Sequence, residues 1–129
     1  MSDIQHVYLV GHCSADAGML TAFVRRELAG VAVGRVNDAV ALRDATKPGI
    51  LLLVNRVLDG RFDTHHGVGL IEHALAQPDP PVALLISNYA DAQADAVAAG
   101  ALPGFGKGEL RGPEAARRLR DAAGVEAPT

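Results

Sequence analysis

The sequence predicts an α/β protein built on a doubly wound, five-stranded parallel sheet in the order 2-1-3-4-5, with helices on both faces. Short apolar runs alternate five times with helix-like segments along 129 residues, which is the usual size of one domain. The central runs are apolar throughout, as in strands that helices cover on both sides. Right-handed crossovers between parallel strands then distribute the helices over both faces of the sheet.

The first strand–helix unit begins with the strand HVYLV at residues 6–10, which ends at Gly11. The segment 15–30 is predicted to be a helix because its apolar residues recur every three or four positions, and Gly30 suits its end. Four side chains share the apolar face of this helix: Leu20, Phe23, Val24 and Leu28. VAVGRV at 31–36 is predicted to be the second strand.

The next unit contains the most apolar strand of the chain. A helix is predicted over residues 38–47, with Asp38 as its N-cap and an end before Pro48. ILLLV at 50–54 then forms the third strand. The polar residue Asn55 follows at the carboxyl end of this strand, which is where open α/β sheets gather ligands and chemistry.

The remaining units follow the same alternation. GLIEHALAQ at 69–77 is predicted to be the third helix, and the proline-rich PDPP ends it. VALLIS at 82–87 is the fourth strand and DAQADAVAAG at 91–100 the fourth helix. LPGFG at 102–106 forms a weak fifth strand, because it holds one proline and two glycines. GPEAARRLRDAAG at 112–124 is the last helix.

Composition limits the function classes. About half of the residues are hydrophobic (49%), so a sizeable core is expected, and the formal charge of −3 argues against general binding of nucleic acid. The single cysteine, Cys13, fits a reducing compartment. No export signal and no apolar run near the roughly 20 residues of a membrane span is evident. We therefore expect one cytoplasmic domain over residues 1–124, a frayed tail at 125–129, and no membrane partner.

The loops after strands one, three, four and five should meet at one edge of the sheet. They carry Gly11, His12, Cys13, Asn55, Arg56, Ser87, Asn88 and Lys107. Any chemistry of the chain is expected among these residues, because this edge is the ligand-binding edge of the fold.

Three stretches at this edge carry a resemblance to a known family: LLLVN before RVLDG, VALLIS ending in a hydroxyl residue, and AGALPGFGKG with its lysine. In order and spacing they make the chain similar, over nearly its whole length, to the receiver domains of two-component response regulators. The resemblance implies the flavodoxin-like fold of CheY-like proteins. It also implies that Ser87 and Lys107 are retained pocket residues.

The departures from that family predict a lost activity. Asn55 stands where the resemblance implies the phospho-accepting aspartate, and an amide oxygen cannot form an acyl phosphate. Gly11 and His12 stand at the positions of the acidic pair that holds magnesium, which needs hard oxygen ligands. Gly104 stands where a reporting aromatic is usual. We therefore expect a degenerate receiver, a pseudo-receiver, that is not an enzyme and holds no cofactor.

Two alternatives use other side chains. His12, Cys13, His65 and His66 offer nitrogen and sulfur ligands for zinc, although their spacing contains no local ligand pair. A small-ligand or metal-binding domain is therefore the alternative function. Asp59 and Asp63 are alternative phosphoryl acceptors, but a solvated loop position is the expected one for both.

The expected function is that of a stand-alone, phosphorylation-independent interaction module in bacterial two-component-type signalling. The face of the fourth and fifth helices is the expected contact surface, because it combines small residues with the arginines at 117, 118 and 120. The partner is another signalling protein or a second copy. A further hypothesis gives the pocket a weak preference for a small anion, held by Lys107 and Arg56 and strengthened by protonation of His12 below pH ~6.5.

Overall fold

The computed structural model describes residues 4–124 and confirms the predicted fold class. One parallel sheet has the strand order β2-β1-β3-β4-β5. Its strands are β1 (His6–Val10), β2 (Ala32–Val36), β3 (Ile50–Asn55), β4 (Val82–Ile86) and β5 (Leu102–Phe105). The helices are α1 (Ser14–Glu27), α2 (Ala39–Ala45), α3 (Gly67–Leu75), α4 (Ala90–Ala98) and α5 (Pro113–Ala123), and a 3-10 turn covers Lys107–Glu109.

Helix ends differ from the sequence prediction by up to three residues. Asp38 caps α2 as expected, because its carboxylate accepts a hydrogen bond from the backbone N–H of Ala41 at 2.7 Å. Helix α1 ends at Glu27, before the predicted Gly30, whose φ of 87° does not continue a helix. The frayed tail predicted at 125–129 lies outside the described residues.

The core has two apolar layers, one on each face of the sheet. Helices α1 and α5 cover one layer, which contains Phe23, Phe105 and Leu119. Helices α2, α3 and α4 cover the other, which contains Leu70 and Ile71. Strand β3 is buried from its first residue to its fifth, and full burial of a leucine side chain contributes about 2 kcal/mol. The sheet centre therefore provides a rigid base for the residues at its carboxyl edge.

The segment between β3 and α3 folds back over that edge. The backbone N–H of Leu58 donates to the carbonyl of His65 at 3.0 Å, which closes a narrow hairpin. The tip of the hairpin reaches the loops after β1 and β2, because the N–H of Asp59 donates to Gly11 at 2.9 Å and that of Arg61 to Asn37 at 2.8 Å. This segment is thus a fixed cover over the end of β1. Within the described residues, no helix is long and apolar enough to span a bilayer.

Candidate functional site

Asn55 at the end of β3 makes three polar contacts. Its side-chain N–H₂ donates to the carbonyl of Gly11 at 3.1 Å and to that of Val57 at 2.8 Å. Its carbonyl oxygen accepts a hydrogen bond from the ammonium of Lys107 at 3.3 Å. The amide therefore ties the end of β1, the covering segment after β3 and the loop after β5 to one point.

The neighbours of Asn55 select an amide over a carboxylate. A carboxylate only accepts hydrogen bonds, so an aspartate would face the carbonyl oxygens of Gly11 and Val57 with no proton to offer them. Among residues 4–124, the only donor to the Asn55 side chain is Lys107. This residue is thus a structural connector, a role that the sequence did not predict.

Gly11 has no room for the side chain of an acidic residue. Its φ is 74°, a left-handed conformation that favours glycine. A Cβ atom built there would lie 2.6 Å from Cδ2 and 3.2 Å from Cα of Leu58. Because the backbone of Leu58 is fixed by the hairpin, the covering segment closes the position that the resemblance assigns to a magnesium ligand.

His12 is buried and does not face the pocket as a cation. Its Nε2 lies 2.8 Å from the carbonyl oxygen of Leu53, so Nε2 carries the ring proton in the neutral form. Nδ1 is buried without a hydrogen-bond partner in the described chain. Burial lowers the pKa of His12 from 6.5 to about 4. The hypothesis that His12 charges below pH ~6.5 and strengthens anion binding is therefore wrong.

Lys107 is held by a carboxylate that sequence reasoning missed. Its ammonium lies 2.6 Å from Asp16 in the first turn of α1, and this hydrogen bond lowers the pKa of Asp16 below its usual value. The anion hypothesis assumed an unpaired lysine, and that premise is wrong. The position of Asp16 after β1 was the available signal, because the first turn of α1 lies above the same edge of the sheet.

Among the described residues, neither Asp59 nor Asp63 forms an ion pair with Lys107. Both side chains are exposed, and Asp59 contacts Gly11 through its backbone N–H. The partner is Asp16.

Ser87 and Arg56 have local partners in a shallow cleft beside Lys107. The hydroxyl of Ser87 accepts a hydrogen bond from the backbone N–H of Tyr89 at 3.1 Å. The guanidinium of Arg56 lies 4.8 Å from the ring centroid of Tyr89, a cation–π distance. The cleft has a volume of about 190 Å³ and is lined by Asn55, Arg56, Val57, Ile86, Ser87, Asn88, Tyr89 and Lys107.

The metal alternative has no geometric basis. His65 and His66 are exposed in the covering segment, and Cys13 is exposed as well. Nε2 of His12 is hydrogen-bonded to the backbone carbonyl of Leu53. Across residues 4–124, no three histidine, cysteine or acidic side chains group as a metal site would require.

A polar staple connects α4 and α5 to the strands beside the cleft. The side-chain N–H₂ of Gln93 in α4 donates to the carbonyls of Leu85 at 2.8 Å and Ser87 at 3.1 Å, and its oxygen accepts the N–H of Gly104 at 3.1 Å. Arg118 in α5 donates to the carbonyl of Gly104. A Cβ at Gly104 would collide with the backbone of β4, so this position accepts no larger residue.

Comparison with known proteins identifies the fold. No protein-family model and no curated protein sequence matches the chain. The chain is similar to the signal receiver domain of a DNA-binding response regulator from Colwellia psychrerythraea 34H, with a TM-score of 0.67 and 16% identity over 90% of this chain and 95% of that one. A putative response regulator from Chloroflexus aurantiacus gives a TM-score of 0.65 and 20% identity over 94% and 98%.

A third similar structure is the phosphorylated cyanobacterial phytochrome response regulator RcpA, with a TM-score of 0.63 and 14% identity over 97% of each chain. The chain therefore has the CheY-like receiver fold. At these identities the likeness shows the fold alone.

Proposed function

We propose that the chain is a degenerate receiver that acts as a phosphorylation-independent protein-interaction module in two-component-type signalling, and that it is not an enzyme. The observation that carries the proposal is the bonding of Asn55. Its side-chain N–H₂ donates hydrogen bonds to the backbone carbonyls of Gly11 and Val57. The residue at the phospho-acceptor position therefore acts as a hydrogen-bond donor, which an ionised aspartate could not do.

The electrostatics of the edge support the loss of phosphoryl transfer. Receiver chemistry needs a divalent cation to neutralise the incoming phosphoryl group. Here the covering segment closes the position of Gly11, and the ring of His12 is turned into the protein. The positive charge of Lys107 is matched by Asp16. These features support the loss of both the acceptor at the end of β3 and the magnesium site, because the one acidic side chain that reaches Lys107 among the described residues, Asp16, lies on α1 and is paired with that lysine.

The rigidity of the α4–β5–α5 face supports an interaction role. The Gln93 staple fixes α4 to the ends of β4 and β5, and Val97 and Leu102 on this face are 45% and 42% exposed. A surface that is already ordered loses less entropy on binding. We propose that it contacts another signalling protein or a second copy in the cytoplasm, with no nucleic acid or membrane as partner.

Phosphoryl uptake is the direct test. The protein is incubated with acetyl phosphate or phosphoramidate and magnesium, and its intact mass is measured beside that of a receiver with an intact aspartate. We expect a phosphoryl adduct on the control and none on this chain. A stable aspartyl phosphate on this chain would overturn the proposal.

A further inference from the structure

We infer that the groove between α3 and α4 binds a basic amphipathic helix of a partner protein. This inference rests on the interaction role proposed above, but it assigns that role to a second surface, between α3 and α4, and names the chemistry of the partner. The groove has a volume of about 580 Å³ and is lined by Val68, Glu72, Leu75, Ala76, Asp95, Ala98 and Ala99. It lies on the face of the sheet opposite α1 and α5.

The charged side chains of α3, of α4 and of the residues between these helices are all acidic. No lysine or arginine occurs between Phe62 and Gly106, and this stretch contains the carboxylates of Asp63, Glu72, Asp79, Asp91 and Asp95. Glu72 and Asp95 lie on either side of the groove, and both are exposed. Within the described residues neither belongs to an ion pair. Their charges are therefore available to a cationic partner.

The groove also offers apolar surface. Val68 and Leu75 are half-buried along it. The alanines at 76, 98 and 99 carry small side chains, which let another backbone approach closely. A groove between two neighbouring helices accepts the side-chain ridge of a third helix. A helix with an apolar stripe flanked by lysine or arginine would pack its stripe into the groove and pair its cations with both carboxylates.

A second copy of this chain is a poor occupant. The arginines of its helix α5 already form ion pairs within the chain. Arg117 and Arg118 pair with Glu114, and Arg120 pairs with Glu27. The contact would also join two different surfaces, which produces open chains unless the rotation closes. The groove therefore fits a separate protein with unpaired cations.

The probe is a synthetic amphipathic helix of about 14 residues with an alanine and leucine stripe flanked by lysines. It is titrated into isotopically labelled protein, and amide shifts are mapped by NMR. We expect shifts along the groove, at Val68, Leu75 and Ala98. The same peptide with glutamate in place of lysine, and a basic peptide with its apolar stripe scrambled, should each give at most weak, unlocalised shifts.

A pair of charge-matched variants isolates the groove. The double variant Glu72→Lys/Asp95→Lys should weaken binding of the basic helix about tenfold or more. Asp44→Lys/Asp121→Lys changes two exposed carboxylates outside the groove and alters the net charge equally, so it should retain most of the affinity.

Three results would overturn the inference: no binding of the basic helix, shifts confined to β5 and α5, or equal losses in both double variants. None of these results concerns phosphoryl uptake. If the basic helix does not bind and the chain still takes up no phosphoryl group, the proposed loss of phosphoryl transfer stands. An aspartyl phosphate would instead remove the functional proposal itself.

Discussion

The ammonium of Lys107 lies 2.6 Å from the carboxylate of Asp16, closer than its 3.3 Å contact with the amide oxygen of Asn55. The loop after β5 is therefore fastened to the first turn of α1. Charge balance at the edge is kept without a carboxylate at the end of β3. Lys107 thus has a structural role at this edge that does not depend on phosphate.

Replacing Asn55 by aspartate should destabilise the protein without restoring phosphorylation. The carboxylate loses both hydrogen bonds to backbone carbonyls, and we expect a decrease of about 1–3 kcal/mol in the free energy of unfolding, measured by urea denaturation at pH 7. Asn88→Asp is the matched control, because Asn88 is exposed in the same cleft and the charge change is identical. The control should stay within about 0.5 kcal/mol of the native protein.

We expect no phosphorylation of the Asn55→Asp variant because of the two positions that the resemblance assigns to magnesium ligands. Position 11 still has no room for an acidic side chain beside Leu58, and position 12 still carries a buried imidazole. The intact mass after treatment with acetyl phosphate should therefore remain unmodified. A phosphorylated Asn55→Asp protein would show that magnesium binds through ligands other than these two positions.

Asp16→Asn should raise the affinity of the cleft for small anions. The substitution removes the charge that balances Lys107 and leaves Arg56 at the rim of the cleft. Titration with phosphate should then shift the amides of Ser87, Asn88 and Lys107, with the modest affinity of a solvent-open, salt-screened site.

The native protein and the remote variant Asp44→Asn should show far smaller shifts than Asp16→Asn. Equal responses of all three proteins to phosphate would show that Asp16 does not control the charge of the cleft. A response of Asp16→Asn to magnesium but not to phosphate would remove the anion hypothesis altogether.

Much of the fold could be predicted from the sequence, and the reasons are local. The uninterrupted apolar run before Asn55 predicted the central strand, and the parallel topology then predicted that Ser87 and Lys107 would meet Asn55 at one edge. These predictions need only the position of a residue along a strand, which hydrophobic patterning supplies.

The partners of individual side chains could not be predicted in the same way. The sequence places His12 and Cys13 in the same loop but does not predict which of them is buried. In the structure His12 is buried and Cys13 is exposed, because adjacent residues in this loop point to opposite sides. The pairing of Asp16 with Lys107 depends on how α1 crosses the sheet, which no sequence pattern specifies. The space around Gly11 depends on its contact with the tip of the hairpin after β3, which lies more than forty residues later in the sequence.

Gln93→Ala should loosen α4. The truncation removes two donors to the end of β4 and the acceptor for the N–H of Gly104. Hydrogen exchange should accelerate in Ala90–Ala98 and at Gly104, while α1 keeps its protection. Gln77→Ala is the control, because the exposed side chain of Gln77 donates a hydrogen bond to the carbonyl of His73 in the preceding helix, α3, and not to β4 or β5. Similar exchange in both variants would show that apolar packing alone positions α4.

His12 should make stability depend on pH below neutrality. Its pKa in the folded state is about 4, mainly because of burial, whereas its ordinary value is 6.5. The folded protein thus binds fewer protons than the unfolded chain between these values. The stabilising contribution of the neutral imidazole is fully present above about pH 6.5 and is lost as the pH falls toward 4, a total of about 3 kcal/mol.

The measurement is the free energy of unfolding as a function of pH for the native protein and for His12→Gln, whose side chain offers a donor to Leu53 but does not titrate. The carboxylates are common to both proteins, so the difference between the two curves isolates residue 12. We expect the native curve to fall more steeply between pH 6.5 and pH 4, whatever the stability of the variant at pH 7. His66→Gln replaces an exposed imidazole and should follow the native curve. Parallel curves for the native protein and His12→Gln would mean that the imidazole at position 12 reaches solvent and binds its proton in the folded state.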